Sequence, residues 1–326
     1  MRCYFRSLPI FSAFVFGSAI PLLAQDMGIR VEAVRLMERA YSVSSTTKVL
    51  PNYTQEVSFR SYGANGITKD GSYKVIFSGE TEWSEVSFGD YHLINLQSPD
   101  KTLKSNTAPP PLEILEMLKL IPLSIGRFDH SDAIQSITPA TLSERPAKCI
   151  HFETVNGRTH QSNEICVDVD QGTVLRWNVG DELVEDSQYY AFEGVWRPAH
   201  IRQYINGKLR MEIEQKLALI DGAIDWAALT PQNAVTFVPC QKYDRPLIQS
   251  APQPSLAGAG PWYDVKVQGN IGLDGRVHDA AVLDNGRSEL EQQAIQIVSQ
   301  WVFSPAMCDG KPVSAGASLV VHFPPQ

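Results

Sequence analysis

Basic residues are scarce in this 326-residue chain: 28 Lys and Arg stand against 36 Asp and Glu, a net charge of −8. No basic patch forms and aromatic residues do not interleave with basic ones, which argues against a nucleic-acid partner. Long apolar runs are almost as rare. The one of note, 8–23, follows Arg2 and Arg6, is broken by Pro9, Gly17 and Pro21, and ends at Ala24-Gln25. A charged start, an apolar run and a small-residue exit make the pattern of a cleavable secretory signal, short for a membrane span. Cys3 precedes the run and does not read as a lipid-attachment cysteine. Cleavage after residue 24 would leave 26 basic against 36 acidic residues, a net charge of −10 and a soluble chain.

Catalytic signatures are missing as well. The mature chain has no G-x-S-x-G elbow, no H-E-x-x-H pair and no phosphate-cradling loop. Asp129-His130-Ser131 holds the residue types of a triad, but sequence neighbours point apart and cannot form its geometry. That stretch reads as a polar turn, and His160 as a solvated turn residue. Glu80, Glu82 and Glu85 near Trp83 invite comparison with a glycosidase carboxylate pair. On a strand Glu80 and Glu82 share a face that Glu85 does not, so exposed strand carboxylates account for them better. The chain reads as a non-enzyme that needs no cofactor.

Cysteine is sparing but even in number after position 24: Cys149, Cys166, Cys240 and Cys308. In an exported chain an even count favours disulfides. Cys149 and Cys166 flank Asn156-Gly157-Arg158-Thr159. A turn centred between Gly157 and Arg158 sets them opposite each other, with His151 and Glu164 on the same face. If Asn156-Gly157 were the turn residues, the partner of Cys149 would instead be Glu164. Bridging Cys149 to Cys166 leaves Cys240 for Cys308 by elimination. A zinc site on Cys149, His151 and Cys166 is the rival, but C-x2-C spacing is absent, so no metal is expected.

What the chain does have is alternation. Val57 and Phe59, then Tyr73, Val75 and Phe77, then 83–88 and 91–96 read as strands. Pro109-Pro110-Pro111 could open a short apolar helix at 112–120. Strands resume at 149–154, 164–169, 174–179, 187–192, 200–205 and 209–220, and a modest amphipathic helix lies at 27–40. This is one long antiparallel sheet with two helices. Residues 239–261, rich in Pro, Ala, Gly, Ser and Gln, have linker composition. The expected divisions are a signal at 1–24, a sheet domain at 25–238, this linker, and a small domain at 262–326. The class is α+β.

The last domain is the most explicit. Val265 and Val267 alternate with polar neighbours, Ile271 and Leu273 continue that face, and Asp274-Gly275 makes a tight hairpin turn toward Val277 and Val282. Leu290, Ala294, Ile297, Val298 and Trp301 fall at helical spacing behind Ser288 as N-cap. Pro305 stops that element, Gly310-Lys311-Pro312 turns the chain, and 313–323 closes as a strand. The order is strand, strand, helix, strand. Together with Trp301-Val302-Phe303-Ser304-Pro305-Ala306 and Gly310-Lys311-Pro312-Val313, it resembles the TonB C-terminal domain family over about a fifth of the chain. The resemblance implies a periplasmic module that docks an outer-membrane receptor or another envelope protein by strand addition. The docking edge would be Ser318, Leu319, Val320, Val321 and His322, and self-association into a homodimer through this domain is the alternative use. A chain that kept its apolar segment would be anchored in the inner membrane. Two features depart from an energy transducer. The apolar segment looks cleavable, and 239–261 could span at most ~80 Å fully extended.

The sheet of 27–220, with its two inserted helices and the 190–205 stretch, is similar to the half-barrel of the LolA and LolB lipoprotein-carrier group. That resemblance implies a concave face holding acyl chains, here Phe59, Tyr73, Val75, Phe77, Trp83 and Tyr91. The residues alone are more simply read as core beneath the helices. A lipid or other apolar ligand is thus the second functional expectation.

Overall fold

A computed structural model describes residues 19–45, 50–63, 67–108, 110–121, 132–156, 159–237, 240–254, 263–282 and 288–323. Most of the predicted signal, and the stretches around Asp129-His130-Ser131 and Pro324-Pro325, lie outside the described residues. Helix α1 (Ala19–Ser44) begins within the expected signal and runs through the expected cleavage point. Among the described residues no helix is long and apolar enough to cross a membrane.

Strands β1 (Tyr53–Tyr62), β2 (Thr68–Ser78), β3 (Thr81–Phe88), β4 (Tyr91–Gln97) and β5 (Thr102–Lys104) follow, then α2 (Leu112–Leu120). The chain continues through β6 (Asp132–Leu142), β7 (Arg145–Asn156), β8 (Thr159–Asp168), β9 (Val174–Val179), β10 (Glu182–Phe192), β11 (Val195–Ile205) and β12 (Lys208–Leu219). After α3 (Trp226–Leu229) and β13 (Val235–Phe237), one 13-stranded antiparallel sheet is complete. Its order is β13-β5-β4-β3-β2-β1-β12-β11-β10-β9-β8-β7-β6. Two meanders meet where β1 pairs with β12, and β6 does not return to β13, so the sheet stays open.

Strand β6 was not evident from sequence. It carries Pro139, which cannot donate to a ladder, and such residues are confined to edges; β6 is an edge strand. Both helices cover one face. On α2, Ile114, Met117 and Leu120 bury against Val57, Phe59, Val86, Phe88, Ile201 and Ile213. On α1, Ala33, Met37 and Ala40 pack on Ile150, Phe152, Val167 and Val174. Trp177, registered with Ile165 on one side and Val184 on the other, joins the two clusters.

Cys149 stands opposite Cys166 and is bonded to it. The pairing of Asn156 with Thr159 selects the register centred between Gly157 and Arg158. Beside the bridge, on the same face, Glu164 receives Arg176 at 2.8 Å and lies 3.6 Å from His151. With its sulfurs joined, this Cys-Glu-Cys cluster has no thiolate to offer a metal.

The remaining elements are β14 (Tyr243–Asp244), β15 (Leu247–Ser250), β16 (Tyr263–Ile271), β17 (Val277–Val282) and α4 (Ser288–Val298). They are followed by β18 (Val302–Ser304), β19 (Ala306–Cys308), β20 (Lys311–Val313) and β21 (Ala315–Phe323). Three short strands therefore intervene between helix and final strand, and that strand starts at Ala315 rather than at position 313. The expected linker is also partly structured. β14 pairs with β19, β15 pairs with β18, and the Cys240–Cys308 bridge staples the start of this stretch to the C-terminal module. Its composition reflected short strands bounded by prolines, whose partners lie more than fifty residues downstream.

Candidate docking edge and sheet face

Strand β21 lies at the edge of a three-stranded sheet ordered β17-β16-β21. Leu319, Val321 and Phe323 bury under α4 with Val265, Val267, Ala294 and Val298, while Ser318 and His322 are exposed. The Asp274-Gly275 hairpin sets the parity of the ladder. Gly272 donates its N–H to Arg276 across that turn, so even-numbered residues leading into it bond toward β17 and odd-numbered ones toward β21. Their partners on β21 are Ala315, Ala317, Leu319, Val321 and Phe323. The main-chain groups of Gly316, Ser318, Val320 and His322 consequently point away from the sheet. The His322 N–H agrees, since it donates outward to Gln253 Oε1 at 3.4 Å. Ser318 and Val320 share this parity, and a cleft of about 470 Å³ between Pro111, Leu112, Gln268, Asn270, Gly316 and Ser318 lies beside them.

The second predicted site divides. Phe59, Tyr73, Val75, Phe77 and Tyr91 lie on the helix-covered face, in register with Val86, Ser84, Glu82 and Phe88 of β3. Trp83 does not: it pairs with Ile76 and Leu96 on the opposite face, because the turn between Ser78 and Thr81 shifts the parity between β2 and β3. Phe59, Tyr73 and Tyr91 pack directly against the α2 cluster. The helix therefore fills the centre of this face and leaves cavities of about 420 and 210 Å³ on its flanks.

These cavities are not purely apolar. Glu82 faces the larger one, and burial raises its pKa. Burial, reinforced by the Glu82 charge, raises the pKa of Tyr73 and of Tyr53. In the smaller cavity burial depresses the Arg197 pKa, and its Nε has no hydrogen-bond partner among the described residues. Glu85 sits on the other face, 3.0 Å from His92, and Glu80 lies in the turn that precedes β3.

The sequence comparison bears on the edge first. Residues 264–325 match the family described as Gram-negative bacterial TonB protein C-terminal. This TonB C-terminal match spans β21 and the helix above it. A comparison with curated proteins returns no match. Solved structures similar to the chain include a LolA superfamily protein from Nitrosomonas europaea, 12% identical with a TM-score of 0.35, covering 61% of this chain and 97% of that one. A DUF1329 family protein from Desulfovibrio piger is 12% identical with a TM-score of 0.38, over 62% of this chain and 98% of its own. A chain of the Pseudomonas aeruginosa MucA/MucB complex is 11% identical with a TM-score of 0.27, over 75% and 81%. At these TM-scores the structural likenesses carry no functional inference.

Gln253 and Arg197 had no signal in the sequence, and Glu82, expected to be an exposed strand carboxylate, instead faces a cavity where burial raises its pKa. A lone Gln in a proline-rich stretch, and single charges on a strand, look like solvated residues until the chain is folded around them.

Proposed function

We propose that this is a non-enzymatic periplasmic protein whose TonB C-terminal module docks an extended segment of an envelope or outer-membrane partner by strand addition. The observation that carries the reading is the outward-facing backbone of β21. Gly316, Ser318 and Val320 each present one N–H and one C=O to an incoming strand. At ~0.5–1.5 kcal/mol net per bond, pairing along this stretch suffices for a specific transient contact. Leu319 and Val321 would serve by holding the edge in register from the core side. The family match supports docking, whereas nothing about the apolar segment at 8–23 supports force transmission.

Val320→Pro tests this. It deletes an outward N–H without touching the ladder to β16, a substitution that edge strands tolerate. Detergent-solubilised outer-membrane fractions should retain the wild-type protein and Val320→Ala, but bind Val320→Pro at least ~10-fold less, with folding verified by circular dichroism. Equal retention of the proline and alanine variants would overturn strand addition here.

A second reading rests on the cavities flanking α2. A lipid or another apolar ligand could displace this helix and line Phe59, Tyr73 and Tyr91. Saturable uptake of a fluorescent fatty acid that Tyr73→Ala weakens would favour it, while non-saturable binding would remove it.

A further inference from the structure

We propose that the chain caps its own docking edge: the segment ending at Gln253 occupies the Phe323 end of β21, and a long partner strand must displace it. The inference rests on the docking reading above and concerns how much of that edge is open. Three contacts bring the segment there. Strand β15 pairs with β18, with Leu247 opposite Ser304 and Ile248 opposite Phe303. Ala251 packs against the core of the module. Trp301, itself buried, donates its indole N–H to the Pro252 carbonyl at 3.0 Å. The backbone up to residue 252 is thereby held against the module, and the next side chain delivers its amide oxygen to the His322 N–H at 3.4 Å.

That N–H has the outward parity, so Gln253 Oε1 stands where the carbonyl of a docked strand would stand. A side-chain amide is a fair substitute for a peptide carbonyl, being a neutral acceptor of the same kind. It also blunts an exposed edge, which would otherwise template unwanted pairing. The edge left open runs from Gly316 to Val320, about 17 Å of strand at ~3.4 Å per residue. Partner strands confined to that stretch do not reach Gln253, whereas those extending to His322 compete with it.

Gln253→Ala in the full chain tests the cap, since the side chain is exposed and its removal leaves the core intact. Hydrogen exchange at the His322 amide should accelerate about three- to tenfold, with the Val321 and Leu319 amides unchanged. An unchanged His322 rate would overturn the cap. For displacement, the probes are two synthetic peptides with the sequences of residues 315–323 and 315–320 of this chain. Gln253→Ala should tighten the longer peptide by a similar factor and leave the shorter one unaffected. Equal binding of the longer peptide to both proteins would overturn displacement. Failure of both peptides to bind either protein would count against the docking reading, while the exchange measurement still decides the cap.

Discussion

Replacing both Cys149 and Cys166 by alanine should destabilise the large sheet and spare the C-terminal module. The bridge closes a 17-residue separation, for which the chain-entropy relation gives about 3 kcal/mol at 25 °C. Nine cross-strand pairs besides the cysteines hold β7 to β8, so the hairpin should still form and the loss should come from a freer unfolded chain. Truncating two buried sulfurs adds a packing cost of roughly 1 kcal/mol, bringing the total to about 3–5 kcal/mol. At ~2–4 °C per kcal/mol for a body of this size, the melting transition should fall by about 6–20 °C. Calorimetry of the full chain reads this directly. The paired control is Cys240→Ala with Cys308→Ala, whose 68-residue separation gives about 4 kcal/mol by the same relation. That loss should appear in the module, because the bridge and the β14-β19 pair hold residues 240–244 against it. A drop below about 1 kcal/mol for the first pair, or an equal fall of both parts of the molecule, would refute the reasoning.

Asp186 supplies a pH test. Burial raises its pKa to about 8, only partly offset by the nearby Tyr189 hydroxyl, which donates to the Val174 carbonyl. The folded state then holds a proton that an unfolded Asp, with pKa ~3.9, releases. The stability it contributes is complete below about pH 4 and is lost as pH rises toward 8. In urea titrations, Asp186→Asn should therefore gain on the wild type by up to ~1.4 kcal/mol per pH unit across that window. A pH-independent difference would remove the assignment. Gly275→Ala should destabilise the C-terminal module by more than ~2 kcal/mol, because φ is +72° and an added Cβ would meet the Phe303 carbonyl oxygen at 2.1 Å. A melting temperature within a degree of the wild type would contradict that.

What the sequence determined by itself was local. Asp274-Gly275 between alternating runs specifies a hairpin because few residues other than glycine accept its backbone. The spacing of Leu290, Ala294 and Val298 specifies a helix with one buried face, and these three are buried. Symmetry about Gly157-Arg158 offered Cys166 as the partner of Cys149, and the observed pairing of Asn156 with Thr159 chose that register over the one that would have set Glu164 there. Tertiary structure decided everything that depends on distant partners. Trp83 left its expected face because one turn inverted the parity of its strand. Pro139 hid an edge strand that only a neighbour could reveal. Residues 243–250 looked like linker until strands near 305 paired with them. Asp186 became a buried acid, and Gln253 became the acceptor for His322, through contacts separated by tens of residues in the chain. Propensity and turn chemistry act over a few positions. Burial, and the capping of an edge, depend on which surfaces the fold brings together.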